Sequence, residues 1–70
     1  MDIREYTRII IRKNSKFLVG YVLYSDQLRW SDSPHDAWWT RNKEDALDMA
    51  RVSGGVMMLF NPVAGQLRVL

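Results

Sequence analysis

No cysteine occurs in this 70-residue sequence, which excludes disulfides, thiolate zinc centres and cysteine nucleophiles together. Histidine is nearly as scarce: His35 stands alone, and one imidazole does not make a metal site by itself. The uncharged run Phe17 to Ser25 falls far short of the roughly 20 residues a membrane-spanning helix requires. The four glycines include no phosphate-cradling loop. The expectation is a chain with no metal, no cofactor, no small-molecule substrate and no enzymatic activity. Met1 to Tyr6 carry charges of both signs without the apolar core or cleavage site of a signal peptide, so a cytoplasmic location is expected.

What is present is apolar and aromatic. A hydrophobic content of 47%, with 11% aromatic residues, argues for a folded globular chain rather than a disordered one. Residues 1–70 make one small domain, near the size at which a single core supplies only about 3–5 kcal/mol. With disulfides and metals excluded, oligomerisation or a partner is the remaining means of support. The net charge of +2 is small but uneven. Residues 1–16 hold Arg4, Arg8, Arg12, Lys13 and Lys16 against Asp2 and Glu5, whereas the stretch from Asp26 to Asp48 is net negative.

Tyr6 to Tyr24 reads as a β-hairpin, because β-branched and aromatic residues flank the polar turn Lys13-Asn14-Ser15-Lys16. Alternation on the first strand gives Thr7, Ile9 and Ile11 one face, read as core, and Tyr6, Arg8, Ile10 and Arg12 the other. The second strand is apolar on both faces, with Gly20 marking a bulge or a close contact. Ser25-Asp26-Gln27 is a turn, Leu28 to Trp30 a short third strand, and Ala37 to Thr40 an extended return after the loop Ser31 to Asp36. Asn42 is a side-chain N-cap, and Glu44 and Asp45 put negative charge in the first turn of a helix from Lys43 to Ser53. Gly54 and Gly55 stop that helix. Its buried stripe is Ala46, Met49, Ala50 and Ser53, with Leu47 beside it. Val56 to Phe60 reads as a buried strand and Gln66 to Leu70 as a last strand with Leu67 and Val69 inward. The fold class is α+β: a four- or five-stranded antiparallel sheet with one helix on one face, in the order β-β-(β)-α-β-β.

Three features carry candidate chemistry. The loop Asp32-Ser33-Pro34-His35-Asp36 gathers a hydroxyl, an imidazole and carboxylates, but neighbouring loop residues seldom converge on one centre, so it reads as a solvated turn shaped by Pro34. Arg4, Tyr6, Arg8 and Arg12, with Lys13 and Lys16, combine cations with an aromatic in the manner of single-stranded nucleic-acid sites; the same residues also keep an exposed strand soluble. The third feature is the tryptophan cluster. Trp38 and Trp39, adjacent on an extended segment, point to opposite faces, and one helix does not cover both. Tyr21, Tyr24, Trp30, Trp38 and Trp39 are therefore the candidate protein interface, since such residues bury large areas with few rotatable bonds. Met57 and Met58 repeat the pattern.

The run Ala37-Trp38-Trp39-Thr40-Arg41-Asn42-Lys43-Glu44-Asp45-Ala46, followed by Ala50, Gly54-Gly55 and Met57-Met58-Leu59-Phe60-Asn61-Pro62, resembles short uncharacterised proteins encoded by prophages and mobile elements of Gram-positive bacteria. The resemblance covers about half the chain and implies action by binding a host or phage protein. The expected function is a non-enzymatic protein–protein interaction module, a homodimer or the partner of such a protein. The alternative is a small single-stranded nucleic-acid-binding protein.

Overall fold

Ile9, Ile10 and Ile11 are all buried, although consecutive residues of a strand face opposite ways, so β1 (Arg8–Lys13) is apolar-covered on both sides. The computed structural model describes residues 7–22 and 25–70. Around β1 it builds a five-stranded antiparallel sheet with β2 (Lys16–Tyr21), β3 (Leu28–Ser31), β4 (Val56–Asn61) and β5 (Gln66–Val69). The spatial order is β3-β2-β1-β4-β5. One helix, α1 (Lys43–Ser53), packs mainly on β1 and β4.

The local signals act as their chemistry dictates. Asn14, in the β1–β2 turn, takes a φ of 58°, a left-handed conformation asparagine tolerates. The Asn42 Oδ1 accepts hydrogen bonds from the amides of Glu44 at 2.9 Å and Asp45 at 3.4 Å, occupying two of the unpaired donors at the helix start. Gly54 closes α1 in the left-handed region at φ 72° and donates to the Ala50 carbonyl. Ala46 and Ser53 are buried, Met49 and Ala50 half-buried, so the stripe facing the sheet is one of small residues.

Register assigns the faces. Ile10 pairs with Met58 and Arg8 with Phe60; Arg12 pairs with both Phe17 and Val56. Those residues share one face. Ile9 pairs with Leu59 and Ile11 with Met57, and these lie on the side of α1, where Ser53 and Ile11 crowd around Gly55. The opposite face is not open at its centre. Ile10, Phe17, Met58 and Phe60 form a buried cluster with Ala37, and the His35 ring stands edge-on to Phe60 at 5.0 Å. The stretch read as a solvated turn, which includes a short 3-10 turn over Pro34–Asp36, thus helps cover the second sheet face. The strand face read as polar, with Arg8 and Arg12, carries fully buried Ile10 at its centre for the same reason.

Ala37 to Thr40 does more than lead back to the helix. Ile9 and Thr40 exchange backbone hydrogen bonds of 2.9 and 3.1 Å, and the Trp38 amide donates to the Leu18 carbonyl at 2.8 Å. The segment is a wedge between β1 and β2 beyond their paired end, so β1 keeps backbone partners on both sides there.

One expectation is overturned. Leu67 and Val69 are not inward: they are 37% and 70% exposed, because β5 lies at the sheet edge while α1 packs mainly on β1 and β4.

Candidate functional site

The register shifts between Leu18 and Gly20, after which Gly20 pairs with Arg29 and Tyr21 with Leu28. Gly20 has a φ of 148°, a backbone conformation side-chain-bearing residues rarely adopt. The extra residue has a positional consequence. Leu18 pairs with Trp30 on the α1 side of the sheet, and without the bulge Tyr21 would face the other way. With it, Tyr21, Leu28 and Trp30 share the α1 side. Trp38 joins them by alternation, two residues before Thr40, which is paired with Ile9.

This aromatic patch lies on the β2–β3 side of the sheet, whereas α1 packs mainly on β1 and β4. Tyr21 is 50% exposed, and Leu28, Trp30 and Trp38 are half-buried. Three of the five candidate interface residues are therefore on one face, beside the helix rather than opposite it. Trp39 is on the other face, 40% exposed, with the Arg8 guanidinium over its ring at 4.6 Å and that of Arg41 at 5.3 Å. Tyr24 lies outside the described residues. Sequence reasoning missed Leu28, and alternation with Trp30 two residues later on β3 was the signal for it; the glycine at 20 was the signal for Tyr21, which the bulge turns to that face.

The cationic candidates do not make one surface. Arg4 and Tyr6 lie outside the described residues, and Arg8 is committed to Trp39. Lys16 forms an ion pair with Asp32, and exposed Arg12 and Lys13 are separated from Arg8 by buried Ile10.

The Ser33–His35–Asp36 loop builds turns rather than a reactive centre. Ser33 Oγ accepts from the His35 backbone amide at 3.3 Å, Ser31 Oγ donates to Asp36 Oδ2 at 3.2 Å, and the imidazole is packed on Phe60. Among the described residues no three side chains of His, Asp or Glu converge as metal ligands. A shallow hollow of about 470 Å³ lies at the far end of the α1 side, floored by Ile9 and Leu59 and edged by Arg41, Asn61 and Arg68. Asn61 Oδ1 is occupied there by the amides of Val63 and Ala64, at 3.0 and 3.1 Å. Compared with known proteins, the chain matches no family, no curated protein and no solved structure.

Proposed function

We propose that the protein is a non-enzymatic protein–protein interaction module of prophage or mobile-element type, and that Tyr21, Leu28, Trp30 and Trp38 form its recognition surface. The supporting observation is the bulge at Gly20, which turns Tyr21 to the face that Leu28, Trp30 and Trp38 share beside the helix. Exposed aromatic patches of this kind mark binding sites, and large rigid side chains supply most of the energy at such surfaces.

The test is capture from cells that make the protein, comparing wild type with Tyr21→Asp and Leu28→Asp. A specific partner should be retained by wild type and lost, at least tenfold, by both variants, with circular dichroism unchanged. A capture profile the two variants share with wild type would reject the surface. Nucleic-acid binding is the second reading, favoured by exposed Arg12 and Lys13 at the β1–β2 turn. It requires oligonucleotide affinity that falls steeply with salt, and absence of binding at low salt removes it.

A further inference from the structure

We infer that β5 pairs with β5 of a second copy, antiparallel about a two-fold axis, joining two sheets into one of ten strands. This edge is separate from the aromatic patch, so the two proposals stand or fall independently.

Backbone geometry identifies which groups are open. In an antiparallel ladder, alternate residues direct both N–H and C=O toward the same neighbour. The Leu70 amide donates to Met57 O on β4 at 3.3 Å, so Arg68 and Gln66 also face β4, opposite Leu59 and Asn61. Leu67 and Val69 therefore direct their amides and carbonyls away from the sheet. Among the described residues no strand pairs with that side of β5, and all four of its residues are exposed. The strand is short and carries one charge, Arg68, on its α1 side, but neither a proline nor a bulge interrupts its outward edge.

The side chains name the partner. Leu67 pairs with Phe60 and Val69 with Met58, which puts both on the face away from α1. Val56, 55% exposed, is on the same face. Of the registers that keep like faces together about a two-fold axis, two pair three residues of β5 with its copy. Centring on Arg68 sets the two Arg68 guanidinium groups directly opposite each other, which is unfavourable. Centring on Leu67 pairs Leu67 with its own copy through two backbone hydrogen bonds. That register also places Gln66 beside the partner's Arg68 twice, an amide oxygen against a guanidinium. The second register is the one the strand's own sequence accommodates.

Analytical ultracentrifugation over a concentration series tests this. Wild type should show a reversible monomer–dimer equilibrium. Leu67→Pro removes an outward amide that makes no backbone bond among the described residues, and should give a monomer with an unchanged dichroism spectrum. Gln66→Arg, a surface change that leaves folding intact even if the proline variant does not fold, opposes two arginine pairs and should weaken the dimer at least tenfold at low salt. Adding Arg68→Glu to it should restore the dimer. A wild type that remains monomeric to millimolar concentration overturns the inference, as does a dimer unaffected by Gln66→Arg.

Discussion

A Cβ built on Gly55 would stand 2.5 Å from Ile11 Cγ2 and 3.0 Å from the Arg12 carbonyl oxygen, so the turn from α1 into β4 passes β1 with no room for a methyl group. Gly20 is the converse: nothing lies within 4 Å of its Cβ position, but its φ is 148°. Alanine at Gly55 should destabilise by overpacking, by about 1–3 kcal/mol, and alanine at Gly20 by backbone strain of about 1–3 kcal/mol. The two are separable by what else changes. Gly20→Ala, read by urea denaturation and by nuclear magnetic resonance, should shift the amide resonances of Tyr21 and Leu28 as the bulge relaxes, while Gly55→Ala perturbs Ile11 and Ser53. Equal stability of wild type and Gly20→Ala would deny the bulge its strained geometry. A glycine in an apolar strand announces such a site; the size of the gap at Gly55 is invisible in sequence because it depends on Ile11, 44 residues earlier in the chain.

At the scale of elements, what could be read from sequence depended on whether the signal was local. Helix α1 was legible to its end residues, because Asn42 and Gly54 act on their own neighbours through caps. Removing the cap in Asn42→Ala should cost about 1 kcal/mol, seen as a lower urea midpoint at an unchanged slope. Strand β5 was legible as a strand but not in its facing: alternation marks Leu67 and Val69 as a pair on one side, while only the place of β5 at the sheet edge accounts for their exposure. The loop before Ala37 is exposed at Asp32, His35 and Asp36, as a solvated turn should be, but its sequence did not show that the His35 ring also meets Phe60, which is 1% exposed. His35→Ala should therefore lower stability by about 0.5–1.5 kcal/mol through loss of the edge-on ring contact. A change within about 0.5 kcal/mol, the usual range for a surface substitution, would show the imidazole to be an onlooker.

At the scale of the whole molecule, the sheet is covered unequally. Its centre has α1 on one face and the 3-10 turn on the other, and the wedge of Ala37 to Thr40 supplies β1 with backbone partners where β2 leaves it. Toward the two edges the cover runs out, at the aromatic patch on the β2–β3 side and at β5 on the other. Amide exchange should report this division. Ile9, Trp38 and Thr40, bonded within the sheet, should exchange slowly at every protein concentration. On β5 the pattern should alternate in dilute solution, with Arg68 protected by β4 and the outward amides of Leu67 and Val69 fast. Raising the concentration into the range where dimer forms should slow Leu67 and leave Arg68 unchanged, because in the Leu67-centred register the Leu67 amide gains the carbonyl of its own copy as acceptor, while Val69 stands beyond the end of β5 of the second copy. Protection of Leu67 that is independent of concentration would mean that its amide is already bonded within one chain, and uniformly fast exchange at high concentration would mean that the edge stays open.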